Sequence, residues 1–297
     1  MSDVDSPDAV IARLAAAPLA HTEQLIVLRD GEVLAEHSFH GGDPDEPAAV
    51  KSVTKSVLAT VALLAVADGV LDLDDTLGRL LGSRVPGHRR DVTVRHLLTM
   101  TGGSEPALDL RGLEPANWLD HLLALPRIAP PGTVFAYDNA AVHVLAGALR
   151  TVVGDIDAFA AERILAPAGI TRWNWPRDPE GVNWGGAGLE LSAKSLAALG
   201  ELWRTDRLGL GTLLSEATGE RVRPGGGDPR GFGYLFWVDV YAASPVFLAS
   251  GFGGQKVCVA RDLGVTVVLT GDVERLSPDG GDNGDVLPGL VAWAAKR

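Results

Sequence analysis

The chain has 297 residues, of which 46% are hydrophobic and 22% charged, so it can bury a substantial core, and its length predicts two subdomains. Its formal net charge of −12 argues against nucleic acid or an anionic membrane as a partner, because both bind a basic face. A single cysteine, Cys258, and an N-terminus without a secretory signal pattern predict a cytoplasmic protein, while nothing indicates an oligomeric state.

Short strands are predicted at both ends of the chain. Residues 25–37 form two candidate strands joined by Asp30-Gly31, a strong hairpin signal. Residues 232–242 are strand-like, and residues 256–272 predict two more strands around a turn. Helical patterns occupy most of the chain between them. One sheet assembled from both ends of the chain, an α+β architecture, is therefore expected.

A long apolar run begins beside a serine and a lysine. Residues 53–66 contain neither glycine nor proline, and they predict a helix from Ser52 to about Ala67 that is apolar on almost every side and hence buried. Ser52 and Lys55 are three residues apart, so both side chains lie on one helix face. Burial and the helix N-terminus lower a lysine pKa, and such a lysine can activate a serine without histidine.

A second motif, Tyr137-Asp138-Asn139, follows a Pro-Pro-Gly turn and precedes a helical pattern. In this composition, chance supplies a Ser-x-x-Lys roughly 0.2 times and a Tyr-x-Asn roughly 0.05 times. Their coexistence favours catalysis. A third element, residues 249–255, is a glycine-rich segment before a strand pattern, typical of places where a ligand approaches the backbone closely.

The three motifs, in this order, resemble those of the serine β-lactamase and penicillin-binding superfamily. The Tyr-x-Asn form is similar to the branch that holds class C β-lactamases, DD-peptidases and esterases. Further stretches resemble that branch at 92–103, 131–139 and 185–189. The resemblance implies an antiparallel sheet flanked by helices, with a sheet lobe from residues 1–69 and 191–297 and a mostly helical lobe from residues 70–190.

The resemblance also implies the roles of the site residues. Ser52 is the expected nucleophile, Lys55 and Tyr137 carry its proton with the primary base left open, and Asn139 orients the lysine and the acyl group. The backbone N–H groups of Ser52 and Phe252 are the expected oxyanion donors. No metal or cofactor is required.

One departure from the family pattern concerns the third motif. Related β-lactamases and DD-peptidases have Lys-Thr-Gly or His-x-Gly where this chain has Ala249-Ser250-Gly251. The missing cation would bind the carboxylate of a β-lactam or of a peptide C-terminus. The third motif and residues 173–178 resemble instead carboxylesterases and 6-aminohexanoate-dimer hydrolases, so a small ester or amide substrate is expected.

Five residues are candidates for contacting that substrate. Ser250 and Gly251 lie in the third motif, and Trp173, Trp175 and Trp184 are expected to form an aromatic wall, although aromatic residues fill cores as readily as pockets.

Three alternatives remain at this point. The chain is a β-lactamase, or it is a DD-peptidase or other penicillin-binding protein, or it is a non-catalytic ligand-binding module with the same fold. An α/β-hydrolase nucleophile elbow is excluded because Ser104 lacks the second glycine of Gly-x-Ser-x-Gly. His37 and His40 lack the further ligands that zinc requires.

Overall fold

A seven-stranded antiparallel sheet built from both ends of the chain forms the centre of the fold. The computed structural model describes residues 7–16, 18–108, 117–277 and 282–297. Two further short strands pair with each other outside the main sheet. The strands are β1 (Thr22–Arg29), β2 (Glu32–Ser38), β3 (Ala48–Ala49), β4 (Glu190–Leu191), β5 (Gly231–Phe232), β6 (Trp237–Tyr241), β7 (Ser244–Gly251), β8 (Gln255–Ala260) and β9 (Val265–Gly271).

The strand order in the main sheet is β2-β1-β9-β8-β7-β6-β5, so β1 from the N-terminal part pairs with β9 from the C-terminal part. The predicted hairpin is confirmed, with φ of 51° at Asp30 and 87° at Gly31. Positive φ at both central residues gives a two-residue turn whose twist matches that of the strands. The prediction of one sheet from both ends of the chain is confirmed.

Helices cover both faces of the sheet and fill the middle of the chain. Within the described ranges, no helix is both long and apolar enough to span a membrane. The helices are α1 (Pro7–Leu14), α2 (Val53–Ala67), α3 (Leu77–Leu80), α4 (Val94–Leu98), α5 (Trp118–Leu123), α6 (Asn139–Val153), α7 (Ile156–Ala160), α8 (Ala193–Arg204), α9 (Thr212–Ala217) and α10 (Leu287–Ala294).

Alternation along the strands separates two apolar cores. Phe247 and Ala249 of β7 belong to the core that contains α2 and α8, whereas Leu248 belongs to the core that contains α1 and α10. Successive strand residues point to opposite faces, so β7 contributes to both cores. Cys258 of β8 is fully buried among the second set.

Helix α2 is the buried helix that the sequence predicts. Every residue from Val53 to Ala65 is buried. Its polar side chains are satisfied inside the protein: Ser56 Oγ donates to the carbonyl of Leu235 at 2.7 Å, and Thr60 Oγ1 accepts from Trp203 Nε1 at 3.1 Å. A buried helix with paired polar groups provides a rigid base for the residues at its N-terminus.

The middle of the chain is mainly helical. Apart from the start of β4, the described residues between 70 and 190 form helices, turns and isolated bridges. The larger core continues from the sheet through α2 into α4, α6 and α7. The predicted lobe limits remain an expectation, but α2 lies where the sheet and the helical segment meet.

Candidate active site

Ser52 immediately precedes α2 and lines a cavity of about 700 Å³. The residue before it, Lys51, has φ of 52°, in the left-handed region that a non-glycine residue seldom adopts. Its carbonyl accepts a hydrogen bond from Thr54 Oγ1 at 2.6 Å, which holds this turn against the first turn of the helix. The turn presents the serine hydroxyl to the cavity rather than to the core.

Lys55 lies one helical turn after Ser52 and is only 2% exposed. Its Nζ is 2.7 Å from Ser52 Oγ and 2.5 Å from the carbonyl oxygen of Gly186. Burial lowers the pKa of Lys55 to about 7, although the carboxylate of Asp138 opposes this effect. Near neutral pH a large fraction of Lys55 is therefore a free amine that can accept a proton.

Tyr137 completes a group of three polar side chains at the end of α2. Its hydroxyl is hydrogen-bonded to Ser52, and its ring centroid is 5.0 Å from Lys55 Nζ. Burial raises the pKa of Tyr137, and the bond to Ser52 lowers it less, so the phenol is protonated near neutrality. The structure thus brings Ser52, Lys55 and Tyr137 together.

The cap of helix α6 explains why a Tyr-x-Asn motif places its tyrosine here. Asp138 is the N-cap residue, and its Oδ1 accepts from the backbone N–H of Ala140 at 2.8 Å and of Ala107 at 2.9 Å. A capping carboxylate fixes where a helix starts. Tyr137 and Asn139 on either side of it are therefore held at a defined place beside α2.

Among the described residues, Asn139 makes no hydrogen bond to the lysine. Its Nδ2 donates to the carbonyl of Leu108, and its buried Oδ1 has no hydrogen-bond partner among the described residues. The carbonyl of Gly186 accepts a hydrogen bond from the Lys55 amine, and the orienting role of Asn139 stays a prediction. Gly186 packs closely here, since a Cβ on it would lie 2.8 Å from Asn139 Oδ1. A backbone carbonyl leaves no side-chain signal in a sequence.

The third motif approaches the nucleophile through Gly251, the last residue of β7. A Cβ on Gly251 would lie 2.5 Å from the carbonyl oxygen of Val50 and 3.1 Å from Cβ of Lys51. Only glycine permits this close approach. Phe252 follows in the turn, with its side chain 71% exposed, and borders the same cavity as Ser52. The oxyanion role of the two backbone N–H groups stays a prediction.

Further cavity residues include two cations that the sequence analysis did not identify. Lys256 of β8 pairs directly with Ser250 of β7, and its Nζ is 2.9 Å from Ser250 Oγ. The guanidinium of Arg230 is 4.1 Å from the ring centroid of Trp237. The pairing of β7 with β8 sets Lys256 opposite Ser250 and so identifies it as a cavity residue. This register cannot be known from the sequence until the two strands are aligned. The other lining residues are Gly253, Gly254, Leu276, Ser277 and Asp282.

The three tryptophans predicted to contact substrate lie elsewhere. Trp173 Nε1 donates to Asp157 Oδ1 at 2.9 Å, and Trp175, 4% exposed, donates from Nε1 to the carbonyl of Trp184 at 2.9 Å. Trp184 packs against Trp118 with ring centroids 5.3 Å apart. None of the three is among the residues that line the cavity. They serve packing in the middle of the chain.

The aromatic wall of the cavity is formed by Trp237 and Tyr137. Their rings are stacked, with centroids 6.1 Å apart and planes inclined by 18°. Nowhere in the described ranges do three or more His, Cys, Asp or Glu side chains form a group that could hold a metal ion. Ser52, Lys55 and Tyr137 place a hydroxyl, an amine and a phenol beside this aromatic surface.

Comparison with known proteins gives the family and the fold of the chain. The family model for beta-lactamase matches residues 8–284 of the chain. The chain is also 31% identical over 156 residues to a monacolin J acid methylbutanoyltransferase of Aspergillus terreus. That match covers 43% of this chain and 37% of the fungal protein, so it spans well under half of the relative.

Two solved structures show the same fold. A candidate 6-aminohexanoate-dimer hydrolase from Bacillus anthracis superposes with a TM-score of 0.82 at 18% identity, over 96% of this chain and 81% of the other. EstCE1, a hydrolase with promiscuous acyltransferase activity, superposes with a TM-score of 0.77 at 19% identity, over 98% and 97% of the two chains. With the family model matching nearly the whole sequence, the chain belongs to the beta-lactamase family, and its fold is that of β-lactamases and transpeptidases.

Proposed function

We propose that this chain is a serine hydrolase that cleaves a small ester or amide through an acyl-enzyme on Ser52. The observation that carries the proposal is the 2.7 Å contact between Lys55 Nζ and Ser52 Oγ at the edge of a cavity. The Lys55 amine is buried and its pKa is lowered to about 7, so it is available as a base.

Acylation begins with attack of Ser52 Oγ on the substrate carbonyl carbon. The serine proton passes to the Lys55 amine, and the carbonyl oxygen becomes an oxyanion. Backbone N–H groups of Ser52 and Phe252 would donate to it, and the loss of one such donor costs about 3 kcal/mol of transition-state stabilisation. Lys55 is the better candidate for the base, because the raised pKa of Tyr137 disfavours its phenolate.

The tetrahedral intermediate then expels its alcohol or amine. Tyr137 donates its hydroxyl proton to the leaving group, and the proton that Lys55 took from Ser52 then passes from the Lys55 ammonium to the tyrosinate beside it. Water attacks the acyl-enzyme in the second half. Its proton passes to Ser52 Oγ through the same groups, and the carboxylic acid is released.

The substrate preference rests on the third motif and on the relatives. Ala249 provides no cation at the place where the family motif has lysine, which favours esters and linear amides over β-lactams. The similar structures include a candidate 6-aminohexanoate-dimer hydrolase and a hydrolase with acyltransferase activity. These likenesses support acyl transfer to water through the proposed serine.

The test is hydrolysis of p-nitrophenyl acetate and butyrate by the parent chain, Ser52→Ala and Ser215→Ala. Ser215 lies on α9 and is a matched control, because its Oγ bonds only the carbonyl of Gly211 in its own turn. We expect turnover by the parent and the control, none by Ser52→Ala, and one acetyl group on the peptide that contains Ser52.

Two results would contradict this proposal. Equal rates for the parent and Ser52→Ala would exclude the nucleophile, and absence of turnover with all esters and linear amides would favour a binding module. Rapid nitrocefin hydrolysis would instead replace the ester or amide preference by a β-lactamase activity.

A further inference from the structure

The turn that carries Phe252 has few side chains of its own to hold it in place. It joins β7 to β8 through residues 252–254, and its two glycines have φ of 78° and 91°. Glycines add no packing contacts, and Phe252 is 71% exposed. We propose that Gln255 and Asn283 are positioning residues that hold this turn, so that the Phe252 N–H donates to the oxyanion. The inference rests on the proposed function and extends it beyond the cavity lining.

Gln255 connects the turn to the end of β9. It is buried, and its Nε2 donates to the carbonyl of Gly253 at 3.3 Å and to the carbonyl of Gly271 at 2.5 Å. Its Oε1 accepts from the N–H of Gly271 at 3.4 Å. The amide thus bonds both backbone groups of Gly271, as a neighbouring strand would. It joins the turn to the sheet beyond the last paired residues of β8 and β9.

Asn283 holds the last residue of the turn. It is fully buried, and its Nδ2 donates to the carbonyl of Gly254 at 3.1 Å and to Thr22 Oγ1 at 3.4 Å. Asp282 caps the short helical turn Asn283–Val286, and its Oδ1 accepts from a backbone N–H of that turn at 2.9 Å. A capping carboxylate fixes where a helical turn starts, so the asparagine is held between the 252–254 turn and the start of β1.

The two amides act at the end of the turn that lies away from Gly251. Gly251 itself fits closely against Val50 and Lys51, so the start of the turn is already fixed beside the nucleophile. The peptide with the Phe252 N–H lies between these two fixed ends. Without the amides only the start would be held, and the N–H would be free to turn from the position that the oxyanion requires. A displacement of about 1 Å at an active site is enough to lower a rate about a hundredfold.

The test measures kcat and KM for p-nitrophenyl butyrate in Gln255→Met and Asn283→Leu. Each variant keeps a side chain of similar size and removes the hydrogen bonds to the turn. Loss of a whole oxyanion donor lowers kcat by about 10²- to 10³-fold. A donor that is present but loosely held costs less. We therefore expect kcat to fall about tenfold to a hundredfold while KM changes by less than about threefold.

Inhibition by butylboronic acid provides a readout that a merely structural role would not move. The boron accepts an electron pair from the serine oxygen, and the tetrahedral adduct places an oxygen where the oxyanion would be. We expect its inhibition constant to rise in both variants by about the factor by which kcat falls, because transition-state analogues use the same donors. Inhibition by the product butyrate should stay unchanged. An inhibition constant for the boronic acid equal to that of the parent would overturn the inference.

Asn183→Leu is the matched control for Asn283→Leu. Asn183 is also a buried asparagine, and its Nδ2 donates to the carbonyl of Trp175 at 3.2 Å. Neither of these two residues is among the described residues that line the cavity. We expect a similar loss of thermal stability with kcat near that of the parent, and an equal loss of kcat would overturn the positioning role. If Asn283→Leu does not fold, Asn283→Asp keeps the shape, removes the donor and should lower kcat in the same way.

Failure of this inference can be told apart from failure of the proposed function. Ser52-dependent hydrolysis with an unchanged kcat in both Gln255→Met and Asn283→Leu would overturn the positioning role alone. If no ester is hydrolysed, hydrogen exchange of a peptide that spans residues 249–255 still decides whether the two amides hold the turn. We expect exchange about tenfold or more faster in the two variants than in the parent and Asn183→Leu, and equal rates would overturn the inference.

Discussion

Replacement of Lys55 by methionine should abolish activity and at the same time stabilise the protein. Lys55 is 2% exposed, and burial lowers its pKa from 10.5 to about 7. In the unfolded chain the lysine is charged up to pH near 10.5, so folding must either bury the charge or release a proton. Methionine has a similar length and carries no charge, so it fills the same space without this cost.

The size of the stabilisation by Lys55→Met follows from the difference between the folded and unfolded pKa values of Lys55. A shift from 10.5 to about 7 corresponds to about 5 kcal/mol at pH 7 or below, at roughly 1.4 kcal/mol for each unit. Loss of the hydrogen bond to the carbonyl of Gly186 offsets about 1 to 3 kcal/mol, because that acceptor is left buried and unpaired. We expect Lys55→Met to raise the free energy of unfolding by about 2 to 4 kcal/mol at pH 7.

The pH dependence provides the sharper check. Between the folded and unfolded pKa values the unfolded state binds more protons, so the stability of the parent rises from pH 7 towards pH 10.5. The gain from Lys55→Met should therefore shrink as pH rises. Urea unfolding at pH 7 and pH 10 measures it, with Lys194→Met as an exposed control. A variant less stable than the parent at pH 7, or a gain independent of pH, would refute this reasoning.

Three other predictions concern activity. The kcat/KM for p-nitrophenyl butyrate should increase about tenfold from pH 6 to pH 8 as Lys55 loses its proton, and Asp138→Asn should move this rise to lower pH; a flat profile, or a shift to higher pH, would contradict Lys55 as the base. Tyr137→Phe should reduce kcat by about 10²- to 10⁴-fold with little change in thermal unfolding, and a rate near that of the parent would remove Tyr137 from proton transfer. Gly251→Ala should destabilise the protein by about 1 to 3 kcal/mol and lower kcat, because its Cβ would press on the carbonyl of Val50; unchanged stability and kcat would show that the two segments can separate freely.

Local patterns were sufficient to predict much of the fold. The Asp30-Gly31 turn, the strands at both ends and the buried helix from residue 53 each depend on neighbours in sequence, and each is confirmed. The grouping of Ser52 and Lys55 also follows from helical spacing alone. These features could be predicted because turn preferences and side-chain periodicity act over a few residues.

Contacts between segments that are distant in sequence could not be predicted from local patterns. The tryptophans at 173, 175 and 184 carried an aromatic signal, but their indole groups are used in packing, while Trp237 faces the cavity. The Lys55 amine also donates to the carbonyl of Gly186, 131 residues away in the chain, a contact that the sequence did not predict. These contacts depend on how loops that are distant in sequence pack against α2 and α6.

The sequence by itself determined the serine at the start of α2, the amine beside it and the order of three motifs, because these depend on spacing within short segments. Only the tertiary structure decided the charge of the cavity. Position 249 has no cation, yet the antiparallel register of β7 and β8 sets Lys256 opposite Ser250. Sheet pairing, rather than neighbourhood in sequence, therefore decides which charged groups a substrate meets.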